Sequence, residues 1–238
     1  MFETTFDKEQ SLIRGDGQPP LFVIGIDEAG RGPLAGPVVA GAVCYRDLSF
    51  QIPEELAKTF ALIRDSKKLS EKKREELFDF IHEYFYVGVG IVSAETIDRV
   101  NILQATFLAM KSAVSQLTKQ LPRESVGNTH LLVDGNQLIP SYSSSQEAVV
   151  GGDGIVKSIA AASIIAKVTR DRIIETADKE YPGYGFAQHK GYGTKVHMDA
   201  LRHLGPCPIH RMSFRPVLLA LPENVNKRFA NVLKPKKR

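Results

Sequence analysis

Hydrophobic residues gather in short unbroken runs separated by glycine-rich and charged stretches, a pattern that predicts buried strands. After a polar lead to Pro20, LFVIGID reads as one strand and PVVAGAVCY as a second, with the glycine-rich EAGRGPLAG between them. Arg64 to Leu69 forms a charged loop. Ser70 then caps a helix from Glu71 to about Glu83, with Leu77, Phe78 and Ile81 on one face. YVGVGIVS supplies a third strand. Ser93 caps a short helix, and Ile102, Ala105, Phe107, Leu108, Ala109, Val114 and Leu117 trace a longer apolar face toward Gln120.

Beyond a turn-rich segment, THLLVDG is a fourth strand, SYSSSQ a polar loop, and EAVVGGDG the end of a fifth strand. From Ile155 to about Tyr181 the small and branched IAAASIIA favours a tightly packed helix that becomes charged at KVTRDR. YPGYGFAQHKGYG is a long loop, Thr194 caps a helix to Leu204, and GPCPIHRMSFRP is punctuated by proline. Strands that first come in a run and then alternate with helices imply an α/β sheet of mixed direction. No internal repeat and no linker appears before about residue 218, so the expected organisation is an N-terminal extension at 1–19, one domain at 20–217 and a tail at 218–238.

Composition narrows this further. With 238 residues, 43% hydrophobic and 24% charged, the chain is large enough to bury a core, and disorder and fibrous repeats are excluded. The longest apolar run, around Val38 to Tyr45, falls well short of the ~20 residues of a membrane helix. MFETTFDKEQ carries acids where a secretory signal carries lysines, so a cytoplasmic location and no membrane partner are expected. The two cysteines, Cys44 and Cys207, fit no zinc spacing and read as reduced and structural. The formal net charge of +4 belongs to the last twelve residues, KRFANVLKPKKR, which hold six Lys/Arg; the remainder, with 25 basic and 27 acidic residues, sums to −2. Such a tail attracts polyanions weakly or is simply solvated.

Asp27-Glu28, Asp134 and Asp153 each lie at or near the end of an apolar strand, with glycine close behind. Ionised carboxylates beside buried strands are costly unless something pairs with them. Neighbours on a regular strand face opposite sides, so Asp27 and Glu28 share a site only if the strand ends or bends there. Four oxygen donors without a nearby histidine or cysteine cluster suit Mg²⁺ or Mn²⁺. Two such ions ~3.5 to 4 Å apart can clamp the attacking and leaving oxygens of a phosphoryl displacement, which is nuclease chemistry. The competing reading makes these acids helix caps and turn residues.

GIDEAGRGPLAG resembles the signature of ribonuclease HII, the type 2 ribonuclease H family. DSKKLS at 65–70, VDGN at 133–136, GGD at 151–153, AAASIIAKVTRDR at 160–172, HKGYGT at 189–194 and PIHRMSFRPV at 208–217 follow in the order of that family, so the resemblance covers about residues 20–217. It implies a ribonuclease H-like catalytic domain, a mixed five-stranded sheet flanked by helices with a small helical C-terminal part. The family's four acids fall on Asp27, Glu28, Asp134 and Asp153. The implied activity is metal-dependent endonucleolytic cleavage of the RNA strand of RNA/DNA hybrids and incision 5′ of single ribonucleotides in duplex DNA, leaving 3′-hydroxyl and 5′-phosphate ends, by a monomer. One departure stands out: the family usually has lysine-glycine-aspartate where this chain has Gly151-Gly152-Asp153, which removes an expected positive charge from that corner.

For substrate binding, Gly30, Arg31 and Gly32 offer backbone groups unshielded by side chains, as close approach to a sugar and its 2′-hydroxyl requires; a tight turn needs the same glycines. Lys167 and Arg170, three apart on one helix, are placed to meet phosphates, or form a solvated basic face with Arg172. Lys67 and Lys68 are ranked below them. Tyr192, in a glycine-flanked loop, matches the family's junction-sensing tyrosine, with core packing as its alternative. His189, His197, His203 and His210 fall close together without a zinc spacing and read as structural or phosphate-facing, with His210 hydrogen-bonded in the fold. Two other functions compete: a ribonuclease H-like nuclease acting on DNA, such as a junction resolvase, and a nucleic-acid-binding protein without catalysis.

Overall fold

A computed structural model of the chain describes residues 4–13, 21–125 and 127–221. The basic run at 227–238 and part of the lead, residues 1–3 and 14–20, lie outside them. Five strands, β1 (Phe22–Ala29), β2 (Val38–Tyr45), β3 (Phe85–Val92), β4 (Thr129–Asp134) and β5 (Ser145–Val149), form one sheet in the order β3-β2-β1-β4-β5. β1 is antiparallel to β2 and parallel to β4, and β4 is parallel to β5. The sheet is therefore mixed, as expected.

The helices are α1 (Asp7–Ile13), α2 (Ala57–Leu62), α3 (Glu71–Tyr84), α4 (Ala94–Val100), α5 (Ile102–Thr118), α6 (Lys157–Glu180), α7 (Phe186–His189), α8 (Lys195–Leu204) and α9 (Arg215–Leu219). Their starts follow local chemistry. Ser70, Ser93 and Thr194 each accept, at 3.3 Å, the amide three residues on (Lys73, Thr96 and His197), as N-caps do. None of these helices is long and apolar enough to cross a membrane.

The described residues make two compact units. Among the described residues, the first draws on 4–13, 21–29, 39–91, 107–125 and 127–168 and holds the sheet; the second draws on 30–38, 92–106 and 169–221 and is helical. In the first, the alanines of α6 reach the sheet because two strand positions have no side chain. A Cβ on Gly25 would lie 2.3 Å from the Ser158 carbonyl carbon, and one on Gly41 2.4 Å from the Ala162 carbonyl oxygen.

Two features depart from the pattern of the sequence. Ser145 and Gln146, read as loop, belong to β5, where they pair with His130 and Leu131. The polar side chains suit this sheet-edge strand: Ser144 and Ser145 hydroxyls meet Thr129 Oγ1 at 3.0 Å and His130 Nδ1 at 2.9 Å. The polar lead also contributes to the core. Phe6 is buried and stacks on Tyr45, ring centres 5.0 Å apart. In α1, Glu9 Oε1 accepts the Ser158 amide at 2.9 Å, a carboxylate at the N-terminus of α6; burial raises its pKa.

Candidate active site

The parallel pairing of β1 with β4 sets Ile26 beside Val133, so the next residues, Asp27 and Asp134, stand side by side. β5 then pairs Val149 with Asp134 and turns through a 3₁₀ segment, Gly152–Gly154, which carries Asp153 back toward them. One oxygen from each of Asp27, Asp134 and Asp153 lies within 4.8 Å of the others. The three carboxylates thus meet beyond the carboxyl ends of three adjacent parallel strands, the end at which open α/β sheets bind ligands.

Glu28 stands outside this group of three. β1 keeps its register with β2 through Glu28 and Ala29, and the Glu28 charge still acts on Asp27, raising its pKa. The Glu28 amide donates to Asp27 Oδ1 at 2.7 Å.

The electrostatics are those of crowded acids. Asp27 is 5% exposed, and burial, then Glu28 and Asp134, push its pKa well above the carboxylate range. The Ser163 hydroxyl opposes this by hydrogen-bonding to it. Burial and then Asp153 raise Asp134 as well, against the Gly152 amide that donates to its Oδ1 at 2.7 Å. An all-oxygen donor set in which Asp27 and Asp134 resist ionisation suits a hard divalent cation, whose charge would offset theirs.

A positive charge does reach this corner. Lys67 Nζ lies 3.6 Å from Asp153 Oδ2. Burial lowers the pKa of this lysine, but Asp153, Asp27 and Asp65 together outweigh burial and raise it. The charge that Gly151 does not carry is thus supplied from the Ser66–Lys68 turn, correcting the expectation of a corner without one. The same turn brings Ser66 Oγ to 2.9 Å from Ser163 Oγ, so Asp27, Ser163 and Ser66 form a buried chain. Neither serine was marked by sequence reasoning, although both sit inside recognisable motifs, DSKKLS and AAASIIAK.

The second unit holds the other candidates. Gly30 has φ +98°, and a Cβ there would come within 2.2 Å of Arg170 Nε and 2.7 Å of the Pro37 carbonyl oxygen, so the fold itself demands glycine. Arg211 Nη2 and Nη1 donate to the carbonyls of Gly30 and Arg31 at 2.5 and 3.0 Å, which engages those carbonyls within the protein. At Gly32 a Cβ would meet Tyr192 Cε1 at an ordinary 3.6 Å. Tyr192 is 48% exposed, not packed in a core.

Arg170 does not fill its expected role. It is 1% exposed, and Nε, Nη1 and Nη2 donate to the carbonyls of Pro37, Lys190 and Ala35 at 3.0 to 3.1 Å. Three of its five N–H donors are spent on these carbonyls and the side chain is buried within the fold, not presented on a basic face, and burial lowers its pKa. Lys167, on the part of α6 in the first unit, is half-buried. His197 and His210 are buried and hydrogen-bonded to each other, a structural role. Cys44 and Cys207 are free thiols.

Comparison with known proteins follows this geometry. A family model described as Ribonuclease HII matches residues 24–217. Ribonuclease HII of Parvibaculum lavamentivorans is 51% identical over 203 residues, 85% of this chain and 69% of that protein. Ribonuclease HII of Endomicrobium trichonymphae is 47% identical over 218 residues, 91% of this chain and 95% of that one. Among solved structures, a chain of the PCNA:RNase HII complex from Archaeoglobus fulgidus aligns with TM-score 0.64 and 26% identity, covering 84% of this chain and 97% of that chain.

Proposed function

The chain belongs to the ribonuclease HII family of endoribonucleases that cut the RNA strand of RNA/DNA hybrids, and we propose that it also incises 5′ of single ribonucleotides in duplex DNA. The observation that carries the reading is the convergence of Asp27, Asp134 and Asp153 at the ends of β1, β4 and β5. Those three residues would hold Mg²⁺ or Mn²⁺, with Glu28, next along β1, as the fourth acid on the strength of the family resemblance. When bound, the ions supply an activated water and neutralise charge on the phosphate and the leaving oxygen.

The chain's own groups do the rest. Water oxygen bonds to phosphorus while the bond from phosphorus to the 3′-oxygen breaks, and that oxygen takes up a proton, leaving 3′-hydroxyl and 5′-phosphate ends. The buried acids repel a polyanion, which Lys67, exposed and beside Asp153, offsets by meeting the backbone. Carboxylates and metal ions see phosphates alone, which RNA and DNA share, so sugar recognition needs other groups. We assign it to the amides of the Gly30-Arg31-Gly32 loop, whose first two carbonyls Arg211 already engages, and to the exposed Tyr192 ring. Lys167 remains the α6 candidate for a phosphate.

The test incubates the protein with Mg²⁺ or Mn²⁺ and three duplexes: all DNA, an RNA/DNA hybrid, and DNA with one ribonucleotide. Cutting of the last two, with 3′-hydroxyl ends, is expected. Cutting of all-DNA duplex would favour a DNA nuclease, and binding without cutting a non-catalytic protein.

A further inference from the structure

Two imidazoles of the second unit, His197 and His210, form a hydrogen-bond chain that ends on Tyr192, and a third, His189, stacks against it. His197 Nδ1 lies 2.9 Å from the Tyr192 carbonyl oxygen, so it must carry the proton and donate. His197 Nε2 is then bare, and accepts from His210 Nε2–H at 3.0 Å. His210 Nδ1 is then bare and accepts the Cys207 amide at 2.9 Å, the closest of its partners there, with the Cys207 Sγ at 3.1 Å and the Cys207 carbonyl at 3.3 Å. His189, stacked on His197 with ring centres 4.5 Å apart, donates Nε2–H to the Tyr184 carbonyl at 2.8 Å. Its Nδ1 accepts the amide of Gly191, immediately before Tyr192, at 3.2 Å.

In this arrangement His197 and His210 are neutral, each sharing one ring nitrogen with the other. A second proton on His197 would face the His210 N–H. We propose that His197, His210 and His189 are positioning residues that hold the Tyr192 backbone from both sides, and so fix the exposed ring for reading the sugar at a lone ribonucleotide. This rests on the reading of Tyr192 as the sugar-sensing residue.

The surroundings keep His197 and His210 uncharged. Burial lowers the pKa of His197, and burial, then His197, lowers that of His210 to about 4. The other ionisable groups here are the Tyr184 phenol, which donates to the Gly205 carbonyl, the Cys207 thiol with Glu180 acting on it, the Lys190–Glu175 pair, and the Arg170 and Arg211 guanidiniums, both within electrostatic reach of Tyr192. A histidine depressed on folding contributes stability above its unfolded pKa of ~6.5, lost as pH falls through the folded value, so the brace holds at neutral pH.

The experiment combines two readouts on the full chain. Nitrogen-15 NMR at neutral pH should show His197 as the Nδ1–H tautomer and His210 as the Nε2–H tautomer, both neutral. Initial rates on the single-ribonucleotide duplex and on the continuous hybrid should show a ratio lowered about fivefold by His197→Phe, the rate equivalent of one neutral hydrogen bond, and restored by His197→Asn, whose amide still donates. The opposite tautomers, or His197→Phe and His197→Asn altering the ratio alike, would overturn the brace. Tyr192→Ala separates the premise: an equal loss on both substrates, with the tautomers as assigned, removes the sugar-sensing role and with it the proposal. A selective loss with the wrong tautomers keeps the sensor and removes the brace.

Discussion

Lys67 Nζ stands 3.6 Å from Asp153 Oδ2, next to the position where Gly151 carries no side chain. The lysine side chain is 80% exposed, so water screens the pair and its removal changes stability by no more than ~0.5 kcal/mol. Its field on the acidic corner is another matter. Lys67→Ala should leave the melting temperature unchanged and raise KM for the hybrid several-fold, more at low salt than at high salt. Initial rates at two ionic strengths check this; an unchanged KM would place Lys67 away from the substrate. Without this lysine, Asp153 would be the most dispensable acid; with it, Asp153→Asn should abolish cleavage as thoroughly as Asp27→Asn.

Asp27→Asn and Asp134→Asn should each abolish cleavage and make the metal-free protein more stable, because each removes one of several like charges held near each other. For Asp27, the more buried, the gain at neutral pH should be about 1 to 3 kcal/mol. Thermal melts with and without Mg²⁺ decide it: the ion should stabilise the wild type clearly and the variants little. Hybrid binding should persist in both variants. Turnover like that of the wild type would remove the aspartate from the site.

Gly30 and Gly32, two residues apart, should respond in opposite ways to alanine. At Gly30 the added carbon meets Arg170 and Pro37 at φ +98°, so Gly30→Ala should lower stability by several kcal/mol whatever the substrate. At Gly32 there is room beside Tyr192, so Gly32→Ala should fold normally and lose rate on ribonucleotide-containing substrates. Urea denaturation beside initial rates separates the two; normal rates in Gly32→Ala would end the sugar-contact reading of that residue.

What the sequence shows of this molecule is what is local. Caps at Ser70, Ser93 and Thr194 act within three residues, and the strands that carry Asp27 near the end and Asp134 at the end are visible as apolar runs. Non-local relations are hidden. The register that sets Ile26 against Val133, and so joins the aspartates, is a pairing across the fold. Arg170 sits in KVTRDR, a run that looks solvated, yet carbonyls of Ala35, Pro37 and Lys190 surround it. Phe6 is one aromatic in a polar lead, and no periodicity marks it as core. Phe6→Ala should cost about 3 to 5 kcal/mol in urea unfolding, since the ring packs against Tyr45, Phe50, Phe60 and Phe85. A cost below ~1 kcal/mol would mean the lead docks without supporting the fold.

The role proposed for Tyr192 is to tell a lone ribonucleotide from the DNA around it. A continuous hybrid presents a 2′-hydroxyl at every step of the cut strand, so weakening one sugar contact shifts the register of cutting more than its rate. A duplex with one ribonucleotide presents one 2′-hydroxyl and one junction, and leaves no alternative register. The Tyr192 ring is 48% exposed and lies beside Gly32, whose amide is among those assigned to the sugar. Tyr192→Ala should therefore cut incision at the single ribonucleotide by about tenfold to a hundredfold, the worth of one stacking contact of ~1 to 3 kcal/mol, with hybrid cleavage reduced far less. Tyr192→Phe, which keeps the ring, should retain most of both activities. Parallel initial rates on the two substrates are the measurement, and an equal loss on both in Tyr192→Ala would make the tyrosine a general binding residue with no part in sensing the junction.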